Sequence, residues 1–181
     1  MPRRPPLPAD VLARARRVRL VILDVDGVLT DGRILLDDRG RELKAFHVRD
    51  GYGIALLLGA GIRVAFLSQR RSAAVARRGR ELGLSAVVQG ARNKLVAARR
   101  LARRWRLELE EIAFIGDDLP DLPLLDAAGL AVTVADAAAG LARHVHWVTR
   151  AAGGAGAVRE VAELVLRAQG RWASAVGDAL R

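Results

Sequence analysis

The chain has 181 residues, 30 basic against 20 acidic side chains, a net charge of +10 and no cysteine, and it is 51% hydrophobic. That length suits one domain with one core, and the apolar fraction excludes wholesale disorder. Without cysteine there is no disulfide, no thiolate nucleophile and no zinc–thiolate site.

In chain order, residues 1–9 (MPRRPPLPA) read as a flexible proline-rich arm, and 10–17 as a short helix. Residues 18–24 form a continuous apolar run closed by an aspartate, the pattern of a strand buried on both faces of a parallel sheet. Residues 33–48 break the rhythm with two short strands around a turn at 37–40, where Gly40 is free to take positive φ. A lone hairpin is marginal in water and must pack on something. Beyond it, helices are predicted at 51–59, 72–82, 94–106, 122–128, 137–142 and 157–169. Strands are predicted at 62–68, 86–88, 112–116, 130–134 and 147–148. The weakly patterned 170–181 reads as a mobile tail. Alternating strands and helices predict one α/β domain over 10–169, a doubly wound, Rossmann-like parallel sheet with an inserted hairpin. No apolar run is long enough to span a bilayer and no apolar leader opens the chain, so a cytoplasmic protein is expected.

Ligands of such sheets bind outside the carboxyl ends of the strands. The first strand ends in DVDGVLTDG, where Asp24 and Asp26, two apart in extended chain, face one site. Paired carboxylates repel, so a cation is their natural third party, and oxygen donors suit Mg²⁺. The strand before Gly116 ends in GDDLPD: Asp117 completes such a metal site, Asp121 either orients its ligands or caps the next helix, and Asp118 makes a local turn bond. Ser68, in LSQR, offers a hydroxyl and nearby N–H groups to phosphate oxygens. Lys94 opens a helix and can set an ammonium on a phosphate.

Of the basic residues 28 are arginine, and only Lys44 and Lys94 are lysine. A chain that otherwise chooses arginine has a chemical reason for lysine, which marks Lys94. The basic excess itself is one footprint of nucleic-acid binding. The arginines are scattered and aromatics make up only 4% of the chain, so neither a nucleic-acid nor a membrane partner is expected.

The four segments in this order resemble the haloacid dehalogenase-like hydrolases, the aspartyl-phosphate phosphatases. Asp24 and Asp26 match the first motif, Ser68 the second, Lys94 the third, and Asp117 with Asp121 the fourth. With KAFHVRDGYGI, QGARNKL and VTRAAGGAGAVREV, nearly the whole chain is similar to the 3-deoxy-D-manno-octulosonate 8-phosphate phosphatases. The resemblance implies a capless, Mg²⁺-dependent phosphatase of a sugar-acid phosphate in lipopolysaccharide precursor synthesis. It implies Asp24 as nucleophile, Asp26 as acid–base group, Ser68 and Lys94 on the phosphoryl oxygens, and Asp24, Asp26 and Asp117 as metal ligands. His47, Arg49, Asp50 and Gly51 would lie beside the site, with Arg70 and Arg78 on the sugar's carboxylate. It also implies a homotetramer whose hairpins meet at the centre, each site being closed by a neighbour and the C-terminal tail. The second motif departs from the family's Thr-Gly-Arg: Ser68 keeps the hydroxyl, and Gln69 adds bulk beside the phosphate. A related nonulosonate 9-phosphate or another small sugar phosphate remains an alternative substrate. A catalytically weak, oligomeric binding module remains an alternative class.

Overall fold

The computed structural model describes residues 7–178, so most of the proline-rich arm and the last three residues lie outside it. Leu7, at the arm's end, packs against the core. Helix α1 (Ala9–Arg17) leads into β1 (Leu20–Leu23), every residue of which is buried. The hairpin follows as two antiparallel two-residue strands, β2 (Leu35–Leu36) and β3 (Glu42–Leu43). Its turn is closed by Asp37 Oδ1, which accepts from the N–H groups of Arg39 and Arg41.

From there the chain runs through α2 (Val48–Gly59), β4 (Arg63–Ser68), α3 (Ala73–Glu81), β5 (Ala86–Gln89), α4 (Lys94–Trp105), β6 (Ile112–Gly116), α5 (Leu122–Leu125), β7 (Leu130–Thr133), β8 (Trp147–Val148), α6 (Ala157–Ala168) and α7 (Trp172–Asp178). The main sheet is parallel, in the order β5-β4-β1-β6-β7-β8. The chain winds outward from β1 through β4 to β5, then returns to the other side of β1 as β6. That reversal puts the switch point at the carboxyl ends of β1 and β6, the place where α/β sheets bind ligands.

Alternation along the strands builds two cores. Val21, Leu23, Val64, Phe66 and Ile115 face α1, α2, α3 and α6; Leu20, Ile22, Leu67, Ile112 and Phe114 face α4 and α5. Each such side chain contributes about 1.5–3 kcal/mol on burial, so both faces of β1 are anchored where its end must be held still.

Three predicted elements differ. Residues 137–142 are not a helix: Gly140 has φ +92°, and a 3-10 turn at Leu141–His144 follows with Leu141 fully buried, so core packing overrides the helix propensity of the alanines. α5 stops at Leu125, where the chain turns back and the Gly129 N–H donates to the Leu109 carbonyl at 2.9 Å. Residues 172–178 form a helix whose Trp172 and Ala175 pack against the core. The guanidinium carbons of Arg159 and Arg167 lie 5.4 and 4.4 Å from the Trp172 ring centre.

The N-terminus of α6 has no side-chain cap of its own, because Gly156 occupies that position. Asp50 supplies one from α2: its buried carboxylate accepts from the N–H of Gly156 at 3.2 Å and of Arg159 at 2.8 Å. Burial raises the Asp50 pKa, and the hydrogen bonds oppose that rise. Asp50→Ala should therefore destabilise the fold by about 2 kcal/mol in denaturant unfolding, since it orphans two N–H groups at once. An unchanged midpoint would show the cap to be idle.

Candidate active site

Asp24 follows the last residue of β1, and its N–H donates to the Ile115 carbonyl of β6 at 3.0 Å, so the sheet itself holds it at the switch point. The chain must then turn within three residues. Gly27 takes φ +89°, and a Cβ there would fall 2.0 Å from Asp117 Oδ2, so only glycine lets the two strand ends close on each other. Thr30 ties the loop: its Oγ1 donates to the Val25 carbonyl and accepts from the N–H groups of Gly27 and Gly32, all at 3.3–3.4 Å.

Lys94, the first residue of α4, is set in place by Asn93, whose Oδ1 accepts from the Val96 N–H at 2.9 Å. Its buried ammonium lies 2.9 Å from Asp24 Oδ2 and 2.5 Å from Asp121 Oδ1. Burial works against its charge, but Asp24 and Asp121 outweigh it, and the Lys94 pKa is raised. The other oxygen of Asp121 accepts from the N–H of Asp117 at 3.0 Å and of Asp118 at 3.4 Å. Asp121 is thus spent on orienting its neighbours, and Asp118 caps its own turn through the Leu119 N–H.

One carboxylate oxygen from each of Asp24, Asp117 and Asp121 lies within 4.8 Å of the others. Asp117 Oδ1 is buried with no hydrogen-bond partner among the described residues. Burial pushes the Asp24 carboxyl up to about 6, with Lys94 pulling down and Asp121 adding to the rise. Burial, then the charges of Asp24 and Asp121, pushes Asp117 to about 8. Crowded hard oxygens with an unsatisfied buried lone pair fit a divalent cation such as Mg²⁺.

These groups line a cleft of about 200 Å³ together with Asp26, Ser68, Gln69 and Arg70. Ser68, the last residue of β4, is buried, and its Oγ accepts from the Arg70 N–H at 3.1 Å. The sequence motifs therefore converge from four strand or helix ends. His47, Arg49, Asp50, Gly51 and Arg78 do not line that cleft. His47 caps α2, its Nδ1 accepting from the Arg49 N–H, and Asp50 caps α6. Arg49 is exposed. Arg78 reaches over Gly51, where a Cβ would meet its guanidinium at 2.3 Å, and its guanidinium carbon lies 5.9 Å from the Phe46 ring centre.

Two more charged residues belong to none of the four phosphatase motifs, although Lys44 opens the stretch KAFHVRDGYGI. Glu42 and Lys44 of the hairpin pair with residues of the cleft wall, Lys44 Nζ donating to Asp26 Oδ1 and lying 3.2 Å from Glu42 Oε1. The scarcity of lysine was the signal that could have marked Lys44.

Comparison with known proteins identifies the family. A family profile described as haloacid dehalogenase-like hydrolase matches residues 75–160. The chain is 47% identical over 175 residues, 97% of its length and 93% of the relative's, to the 3-deoxy-D-manno-octulosonate 8-phosphate phosphatase of Escherichia coli K12. The crystal structure of that phosphatase from Yersinia pestis superimposes with a TM-score of 0.89 at 47% identity, covering 90% of this chain and 88% of the other. The Moraxella catarrhalis enzyme, solved with magnesium, phosphate and the sugar acid, gives 0.91 at 40% identity, covering 93% and 97%.

Because the Asp24 and Asp117 pKa values lie above the ordinary 3.8, the folded chain holds protons here that the unfolded chain releases. Without a cation the site's contribution to stability falls as pH rises through about 6 and then about 8. Mg²⁺ should therefore raise the Tm more at about pH 8.5 than at about pH 5.5, where protons compete for the same oxygens. Equal shifts at both would show that the cation does not displace those protons.

Proposed function

We infer the reaction from a plain membership: the chain belongs to the haloacid dehalogenase-like hydrolases, within the 3-deoxy-D-manno-octulosonate 8-phosphate phosphatases, and it hydrolyses that sugar-acid phosphate to the free sugar acid and phosphate. The observation that carries the mechanism is the Asp24 carboxylate at the end of β1, held by Lys94 with Asp117 and Asp121 behind it.

Asp24 attacks phosphorus and forms an aspartyl-phosphate while the bond to the sugar oxygen breaks, which splits one difficult displacement into two. Asp26 gives its proton to the departing alkoxide and takes one back from the water that hydrolyses the intermediate. Lys94 and Ser68 hold the phosphoryl oxygens, where positioning and charge supply most of the catalysis. Asp121 keeps Lys94 and the 117–118 backbone aligned. Asp24, Asp117 and the main-chain carbonyl of Asp26 would hold Mg²⁺, which would supply positive charge to offset both the nucleophile and the phosphate. Arg70, on the cleft wall with its side chain 44% exposed, is the candidate for the sugar's carboxylate. Arg78, with His47, Arg49, Asp50 and Gly51, is proposed to act from outside the cleft, by shaping the α2 and α3 wall.

The assembly proposed is a homotetramer built on the hairpins. Ile34, Leu35, Leu36 and Leu43 are 47–63% exposed on one small element, more apolar surface than a two-stranded hairpin carries free in water. The cytoplasm is the proposed compartment, in keeping with the observation that no helix among the described residues is long and apolar enough to cross a membrane.

Asp24→Asn should abolish Mg²⁺-dependent phosphate release from the sugar-acid phosphate, by about 10⁴-fold or more, with the circular dichroism spectrum intact. Robust turnover by that variant would sink the mechanism. A panel of sugar-acid phosphates compared by kcat/KM tests the leaving group, and preference for a nonulosonate 9-phosphate would reassign it. Leu36→Glu should shift the mass in light scattering from four chains toward one, and an unchanged mass would remove the hairpin from the interface.

A further inference from the structure

Lys44 takes no part in the mechanism above, yet it is one of two lysines in a chain with 28 arginines. It lies one residue beyond β3. Period-two alternation continues there: Leu43 points outward and is 57% exposed, while the Lys44 side chain is 1% exposed. A buried ammonium is held only where its charge is paired, and two carboxylates pair this one. Nζ donates to Asp26 Oδ1 and lies 3.2 Å from Glu42 Oε1. The same Glu42 oxygen accepts from Arg70 Nη2 at 2.6 Å. Arg70 Nε stands 3.9 Å from Asp26 Oδ2, outside hydrogen-bond range. One oxygen of Asp26 is therefore held by a hydrogen bond, the other stands only at ion-pair distance from Arg70, and the residue lines the cleft.

Rotation about the Asp26 side chain would turn Oδ2 away from the leaving group, so the direction of the carboxyl decides whether its proton arrives. A compact ammonium suits this post, because a guanidinium reaches farther and spreads its donors over a fork. We propose that Lys44 is a positioning residue of the phosphatase reaction: delivered by the hairpin, it grips Asp26 through Oδ1 and aims Oδ2 at the oxygen that leaves and later at the attacking water. This rests on the assignment of Asp26 as the acid–base group.

In the first step the Asp24 oxygen bonds to phosphorus, the bond from phosphorus to the sugar oxygen breaks, and the proton on Asp26 Oδ2 passes to that oxygen. In the second, water bonds to phosphorus, the bond to Asp24 breaks, and Oδ2 takes the water's proton. Misaiming Oδ2 harms the first step only when the leaving oxygen needs a proton, but it harms the second whatever has left.

The test compares Lys44→Met, Lys44→Arg and the unmodified chain, full length and in Mg²⁺, on two esters. With the sugar-acid phosphate, Lys44→Met should lower kcat about 100-fold with KM within about 3-fold. With 2,4-dinitrophenyl phosphate, whose leaving group needs no proton, rapid mixing should show a first turnover at the unmodified rate followed by a slow steady phase. The amplitude of that burst counts intact sites, which separates misfolding from chemistry. Lys44→Arg, which keeps a donor near Oδ1, should recover at least about 10-fold of the lost kcat. An unchanged kcat on the sugar ester, or an equal loss in the first turnover of both esters, would overturn the proposal. Inactivity of the unmodified chain on both esters would overturn the phosphatase assignment beneath it, and this inference with it.

Discussion

Acidic side chains meeting at the end of a parallel sheet must be held against their own repulsion, and one buried ammonium, Lys94, does most of that holding. It bridges Asp24 and Asp121 at hydrogen-bond distances, and its place depends on a helix start fixed by Asn93. Removing one partner of such a buried pair leaves a charge without compensation, which costs far more than the pair contributes when intact. Burial first, and then the charges of neighbouring carboxylates, raise the pKa values of Asp24 and Asp117, and Lys94 only partly opposes the rise. A site built this way is poised for a cation and for a phosphate at the same time.

A second constraint reaches the loop after Asp24 from behind. A Cβ on Gly153 would lie 1.8 Å from the Gly27 carbonyl oxygen, and the Gly154 N–H donates to the Val28 carbonyl at 2.9 Å. The segment before α6 is thus pressed backbone to backbone against the turn that follows Asp24. Asp136 accepts from the Gly153 N–H at 2.8 Å, and Asp50 anchors the start of α6 just beyond. Asp50 therefore bears on the site through α6 and the glycine contact, although it does not line the cleft.

The hairpin shows how a small element serves two surfaces. Leu35 and Leu43, cross-strand partners on one face, are exposed, while Glu42 and Lys44 on the other face pair with the charges of Asp26 and Arg70. Because the side-chain period is two, neither set can move without the other. Whatever covers the Leu35 and Leu43 face therefore also steadies the Asp26 carboxyl.

The amino-acid sequence by itself determined the sheet, its strand ends and the residues that meet there. Continuous apolar runs specify buried parallel strands, and a motif at each strand end needs only local geometry to point into the switch-point crevice. Asp24, Asp26, Ser68, Lys94, Asp117 and Asp121 were legible for that reason. The helix expected at 137–142 was misread because alanine propensity is weak beside the burial of Leu141. Only the tertiary structure decided which charges became partners. Lys44 meets Asp26 from 18 residues away, and Asp50 meets Gly156 from 106. Such pairings depend on how whole elements pack, and burial makes them obligatory once that packing is set, because an unpaired charge has no water to turn to.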